Sequence, residues 1–390
     1  MQNVQKANKR VLALSAGSHF MLDIYQSFYI GLIPLLVSKF GLSLFQVSLL
    51  GATSIIANSL FSPAFGLLSD RYGLKKFMVM GIILTSVFLS LLGVMPHYLL
   101  VLIFLFIGNL GIASFHPPSA AMAGYYGGNK KTFSTSLINF GGNFGFALGS
   151  LTVILILEKI GIQYTPIAMA GGLIAAWVLI RKLPSDKHIP VTIDPNLPRQ
   201  RLGAAKIFLL ASLVFTVYSL YILWVSLFNY MPVYYTRAGL NLIPIGIMLF
   251  LFGALGGAGG FITGHLNDRF KKGPLIIQIS IAMAIPCLYF IFIPDTLPSM
   301  ILFVLAGVFL IPIQPVCIRT AQQLWPANIG LASSLILGLS AGLAGLTLIP
   351  LGKAADIIGI AALIRAEIGF LLLSVVLLFF YPLVARKIKS

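Results

Sequence analysis

The sequence predicts an all-α membrane protein of twelve transmembrane helices, arranged as two pseudo-symmetric six-helix bundles. Three observations carry this. Hydrophobic residues make up 58% of the 390 residues and charged residues 9%, far from the composition of soluble globular domains. Apolar runs of about 18 to 25 residues follow one another with short breaks, each long enough to cross roughly 30 Å of hydrocarbon as a helix. The strict polar and apolar alternation of a membrane barrel is absent. Finally, a basic turn, Gly66-Leu-Leu-Ser-Asp70-Arg71-Tyr-Gly73-Leu-Lys75-Lys76, returns 198 residues later as Gly264-His-Leu-Asn-Asp268-Arg269-Phe-Lys271-Lys272. A chain that repeats its halves is expected to fold as repeats.

A net charge of +17 would suit nucleic acid if the charges clustered on one surface, but they do not. Basic residues gather on alternate connections: Lys6, Lys9 and Arg10 before the first span, Arg71, Lys75 and Lys76 after the second, Lys130 and Lys131 after the fourth. The pattern continues through residues 181–206, then Arg269, Lys271 and Lys272, Arg319, and Arg386, Lys387 and Lys389 at the end. This is topology rather than nucleic-acid binding, and it predicts that both termini are cytoplasmic. Cys287 and Cys317 fall in apolar runs, so neither a disulfide framework nor a thiolate metal site is expected.

In chain order, MQNVQKANKR runs into the first span, about 11–37, without a small-residue cleavage site, and reads as an uncleaved first helix. Span two, 44–68, ends in the basic turn. Span three covers 77–94, with Pro96-His97-Tyr98 as a short outer turn. Span four, 99–120, is expected to bend or end near His116-Pro117-Pro118, because proline lacks the backbone donor. Span five covers 132–157, and span six returns to Arg181. Residues 182–206 are proline-rich with both charge signs, and read as a linker between an amino-terminal bundle, 1–181, and a carboxyl-terminal bundle, 207–390. Six further spans are predicted at about 207–235, 242–264, 274–293, 299–318, 329–351 and 361–384.

Asp23 reads as the only acidic residue near the middle of a span, where translocon scales disfavour an aspartate by about 2.5 to 3.5 kcal/mol. His19 and Gln26 lie about one helical turn on either side, on the same face. The group can act as a proton-loading carboxyl or as a static polar patch that holds spans together. His116 can join the proton chemistry or cap the inner end of span four. The 198-residue shift sets Tyr221 on Asp23 and Gln314-Pro315 on His116-Pro117, so the halves share a scaffold but differ in titratable groups. Gly141, Gly145 and Gly149 form a smooth strip on span five that admits another helix closely, with a partial echo at Gly338 and Gly342. Asn139 and Asn143, near the strip, can face a cavity or bridge helices. Tyr218, Tyr221, Trp224 and Phe228 in span seven, with Tyr25, Phe28 and Tyr29 in span one, form aromatic stripes that serve packing or an apolar substrate cavity. Arg319 is expected to anchor at the headgroups. The five histidines are scattered, and no metal-ligand spacing, nucleophile elbow or phosphate loop appears; no metal or cofactor is expected.

The turn at Gly66 to Lys76, with its half-chain repeat, resembles the signature motif of the major facilitator superfamily. Ser18-His19 with Asp23, Gln26-Ser27, Phe115-His116-Pro117, Gly141-Gly-Asn-Phe-Gly145 and Ala321-Gln322 with Pro326 resemble the fosmidomycin-resistance group of drug exporters within it. The resemblance implies a monomeric bacterial inner-membrane antiporter, not an enzyme, that exchanges protons for a small toxic or amphiphilic solute. Asp23, His19 and His116 would then couple protons, and Gln26, Tyr25, Asn139, Asn143, Tyr221, Trp224 and Gln314 would line the substrate cavity. The turns (Gly66, Asp70, Arg71, Gly73, Lys75, Asp268, Arg269) and the Gly141, Gly145 and Gly149 strip would serve gating. An uptake symporter for a small metabolite is the alternative, and a non-transporting membrane receptor or membrane enzyme a more distant one. Pro118 stands where that group is expected to carry an acid, so the substrate does not follow from the resemblance.

Overall fold

The structure is a computed structural model that describes residues 8–128, 131–184, 203–293 and 296–384. Most of the expected linker, 185–202, lies outside the described residues. Among the described residues there is no strand, and twelve helical stretches are long and apolar enough to cross a membrane.

The helices are α1 (Lys9–Gln26), α2 (Phe28–Phe40), α3 (Leu44–Tyr72), α4 (Leu74–Ser90), α5 (Tyr98–Tyr126), α6 (Lys131–Lys159), α7 (Met169–Lys182), α8 (Ala204–Arg237), α9 (Leu242–Phe270), α10 (Gly273–Phe290), α11 (Thr296–Leu310), α12 (Ile313–Leu324), α13 (Ile329–Ser334), α14 (Ser340–Ile358) and α15 (Ile360–Phe379). The first span is thus two helices, broken at Ser27. The tenth is likewise two, α11 and α12, broken just before Gln314. Between α13 and α14 the chain makes a π-helical stretch, Leu335–Leu339.

The described residues divide into two compact units: those within 1–42, 53–192 and 239–250, and those within 43–52, 193–238 and 251–390. In the first, α1 packs on α6, and α4 on α5 and α7. In the second, α8 packs on α14 and α15, and α10 on α11 and α15.

Span four does not end at the prolines: α5 runs through Pro117 and Pro118 to Tyr126. The prolines leave the carbonyls of Ala113 and Ser114 without their helical donors, yet α5 is held against α4 just before them. A Cβ on Gly81 would lie 2.6 Å from the Gly111 carbonyl oxygen, and the Ser114 hydroxyl reaches the carbonyls of Gly111 at 2.8 Å and Phe77 at 3.3 Å. Tertiary packing overrides the local tendency to stop.

The start of α3 belongs to the second unit and has all its first donors met. Ser43 and Gln46 form a reciprocal capping box, with Gln46 N donating to Ser43 Oγ at 3.2 Å and Ser43 N to Gln46 Oε1 at 3.0 Å. The two intervening amides, Leu44 N and Phe45 N, donate to the carboxylate of Asp356 on α14 at 2.7 and 3.0 Å. A negative group at this helix end also complements the helix dipole.

The repeated turns close alike. Gly73 N donates to Ser69 O at 2.9 Å, and Lys271 N to Asn267 O at 2.8 Å, the same bond 198 residues on. Both residues have positive φ, 107° for Gly73 and 53° for Lys271, a region in which a side chain costs an ordinary residue about 1 to 2 kcal/mol. Lys271→Gly is therefore expected to raise stability by up to about 1 kcal/mol, part of the gain being offset by glycine's entropy when unfolded, and Gly73→Ala to lower it. Thermal unfolding in detergent checks both signs; a lower melting temperature for Lys271→Gly would contradict the strain argument.

Candidate functional site

The glycine strip on α6 meets the backbone of α1. A Cβ added at Gly141, Gly145 or Gly149 would overlap the carbonyl oxygens of Ala16, Phe20 and Ile24 in turn, so the two helices approach closely along more than two turns. Gly338 and Gly342 have open space instead, and the echo does not extend to packing. At the end of the strip the α1–α2 break is supported from α6: Ser150 Oγ donates to the carbonyl of Ser27 at 3.3 Å. A broken helix satisfied by a neighbour is how irregular backbone survives at membrane depth.

The break follows Asp23 by one turn. Asp23 is buried, and its two carboxylate oxygens each face an imidazole. His19 Nε2 lies 3.3 Å from Oδ2, and His116 Nε2, brought in by α5, lies 3.3 Å from Oδ1. The imidazole rings are 5.0 Å apart, centre to centre. The expectation that the histidines make no cluster is therefore corrected. Ligand atoms of His19, Asp23 and His116 all lie within 4.8 Å of one another, and the 97-position separation of the two histidines hides this from a reading by local spacing. Two imidazoles and one carboxylate can share and pass a proton, and the same donor set is of a kind that can hold a transition metal. Exposure is graded: the His116 side chain is 31% exposed, against 12% for His19 and 10% for Asp23. His116 is the most exposed member of the group.

One residue of this site went unnoticed in the sequence. A Cβ on Gly142 would lie 2.6 Å from both Asp23 Oδ2 and His19 Nε2. The Gly-Gly pair at 141 and 142 was the available signal: the first glycine admits the α1 backbone and the second admits its side chains.

The remaining candidates fall into three groups. Tyr221 and Gln314 come together, with Gln314 Nε2 donating to the Tyr221 hydroxyl at 2.6 Å. Like His116 and Asp23, these are the residues that the 198-residue shift pairs. Trp224 lies edge-on to Tyr221 and is partly exposed. Gln26 is half-buried at the end of α1, and Asn139 and Asn143 are exposed on α6. Tyr25 is held by backbone groups. It is buried, its hydroxyl donating to Ala168 O at 2.6 Å and accepting from Gly172 N at 2.7 Å, a tie from α1 to the start of α7. Tyr218 bonds Thr347, and Phe228 packs on Phe252.

Among the described residues the ion pairs converge on Asp23. Asp70 and Arg71 are exposed, with Arg71 over the ring of Tyr72. Arg269 lies over Phe270, and the side chain of Asp268 lies outside the described ones. A Cβ on Gly66 would make ordinary contact with Pro117. Lys75 is engaged, donating to the carbonyls of Ile180 at 2.8 Å and Leu183 at 2.6 Å, which satisfies the end of α7 with a cation. Arg319 is exposed on α12. Asp23 is not the only acid within a span: Glu367 on α15 is buried and accepts from Ser226, and its apolar surroundings in the sequence were a visible signal.

Comparison with known proteins gives a consistent frame. The family model described as Major Facilitator Superfamily matches residues 16–337. The fosmidomycin resistance protein of Escherichia coli (strain K12) is 28% identical over 355 residues, covering 89% of this chain and 86% of that protein. The uncharacterized MFS-type transporter YfnC of Bacillus subtilis (strain 168) is 26% identical, covering 95% and 92%. Among solved structures, a point mutant of the nucleoside transporter NupG superposes with a TM-score of 0.76 at 14% identity, over 96% of this chain and 100% of that one; this likeness concerns the fold.

Gly142→Ala is expected to cost about 1 to 3 kcal/mol by overpacking and to drive His19 from Asp23. Gly141→Ala should cost a similar amount without touching the carboxylate. Difference infrared spectra of the Asp23 carboxylate, identified by its loss in Asp23→Asn, separate the two: the band should move in Gly142→Ala and stay in Gly141→Ala. An unmoved band in Gly142→Ala would show that the pair tolerates the methyl group.

Proposed function

The chain belongs to the major facilitator superfamily, a multi-pass family of membrane transporters, and from that premise we propose that it is a proton-coupled antiporter that exports a small toxic or amphiphilic solute. The observation that carries the proposal is Asp23 held between His19 and His116 beside the break in the first span. A buried acid in a span is costly unless it is used, and here it is shared by two groups able to take up its proton. The gradient of exposure gives the proton a route, entering at His116 and reaching Asp23 and His19 behind it. The coarser statement, a membrane transporter, rests on the family; proton coupling and export rest on this cluster and on the likeness to the fosmidomycin resistance protein.

In this reading the bundles at 1–181 and 207–390 move by alternating access, with both termini in the cytoplasm of a bacterial cell and the chain working as a monomer in the inner-membrane lipid. Exposed polar residues on a membrane helix face water more readily than lipid, which supports Asn139 and Asn143 as cavity residues together with Gln26, Trp224 and the Tyr221–Gln314 pair. Asp70 and Arg71, with Asp268 and Arg269, would engage in the opposite state from the one described, where Asp70, Arg71 and Arg269 are exposed.

Asp23→Asn is expected to abolish transport driven by a pH gradient in proteoliposomes while leaving substrate counterflow intact. A substrate first has to be found, by thermal shift of the purified protein against a panel of small amphiphilic compounds. Imposing the gradient in either direction then distinguishes exchange from symport. Proton-driven transport that survives in Asp23→Asn would remove the cluster from the mechanism.

A further inference from the structure

We propose that Glu367 is a second proton-binding site, in the carboxyl-terminal half, and that its protonated form holds residues 43–52 in place against the rest of the second unit. Glu367 on α15 is 1% exposed, and its Oε1 accepts a hydrogen bond from Ser226 Oγ on α8 at 2.7 Å. Its other oxygen, Oε2, is buried and has no hydrogen-bond partner among the described residues. Asn229 and Tyr230, also fully buried, lie three and four residues after Ser226 and so share its face of α8. Neither polar atom of the Asn229 amide has a partner among the described residues. A nearly fully buried acid with an open oxygen, bonded to the face of α8 that carries an unused amide, is a polar site set in apolar packing.

The charged groups around it do not neutralise it. Arg365, on the same helix, lies over the rings of Tyr289 and Phe292 at 5.1 and 5.6 Å. Lys353 on α14 lies over Phe45 at 5.4 Å. Asp356 on α14 caps Leu44 and Phe45, and Cys287 on α10 donates to Met283 O. Tyr230 is the titratable group that faces Glu367 from α8, and it lies beside Ser48 of α3. A lone carboxylate with one hydrogen bond and no cation is disfavoured by its lost hydration, whereas the neutral acid is not.

The cover over this site is the 43–52 segment. A Cβ on Gly51 would overlap the Asn229 amide, and Ser48 is pressed against Gly352 of α14. Ionising Glu367 breaks the O–H bond at Oε2, leaves the electron pair on the carboxylate and passes the proton to water, so water has to reach the site. Lifting the 43–52 segment admits it. Deprotonation therefore goes with release of the segment, and raising the pH favours release.

The test uses full-length protein with Cys287 and Cys317 replaced by alanine and with Leu50→Cys, whose native side chain is fully buried. The labelling rate of the introduced thiol by a water-soluble maleimide, normalised to the unfolded protein, is expected to rise about tenfold between roughly pH 6 and 8. Glu367→Gln, a neutral isostere, should hold the rate low at every pH. Asp23→Asn should keep the rise, so failure here and failure of the proposed coupling cluster are distinguishable. A rate that is flat with pH, or a rise that survives in Glu367→Gln, overturns the proposal; so does a Glu367-dependent response to sodium at fixed pH. Infrared spectroscopy supplies a readout that does not depend on the glutamine variant: Ser226→Ala should move the protonated carboxyl stretch to higher frequency, and an unmoved band overturns the assignment.

Discussion

The close contact of α6 with α1 is the constraint from which the candidate site follows. Three glycines at four-residue spacing remove the side chains that would hold the helices apart, and the carbonyls of Ala16, Phe20 and Ile24 occupy the freed space. Only at that separation does Gly142 come to lie against the His19–Asp23 pair, and only there can Ser150 reach the carbonyl at the Ser27 break. Packing, backbone irregularity and the His19–Asp23–His116 cluster are therefore one arrangement.

The two halves repeat the scaffold and vary the chemistry. Asp23 with His116 and Tyr221 with Gln314 are the same pair of positions 198 residues apart, and each pair is in contact. One contact can carry a proton; the other is a neutral hydrogen bond. The turn after α3 and the turn after α9 keep the same backbone bond although one uses glycine and the other lysine. Glu367 adds a buried acid to the second half, at a position without an acidic counterpart in the first half, since residue 169 is a methionine.

Much of the fold was legible in the sequence because hydrocarbon imposes a length and a composition on every span. The repeated turn added the division into halves. The glycine strip was legible too, since four-residue spacing of small residues has few other uses in a membrane helix. What escaped were features fixed by tertiary contact. The break at Ser27 carries no proline or glycine, and the Pro117-Pro118 stretch that should have interrupted α5 does not, because α4 holds it. The His19–Asp23–His116 cluster joins residues 97 positions apart at its extremes, beyond any local period. Tyr25 looked like a member of an aromatic stripe, but a pattern in sequence does not reveal that a hydroxyl is committed to the backbone of α7.

The capped start of α3 has a consequence for how this chain can vary. Asp356 recognises the amides of Leu44 and Phe45, not their side chains. Residues 44 and 45 can drift among apolar types while the single carboxylate at 356 stays fixed, since any residue but proline offers the same N–H. A helix end is thus addressed by peptide geometry alone, which leaves the lipid-facing and packing demands on those two side chains free to change with the membrane the protein inhabits.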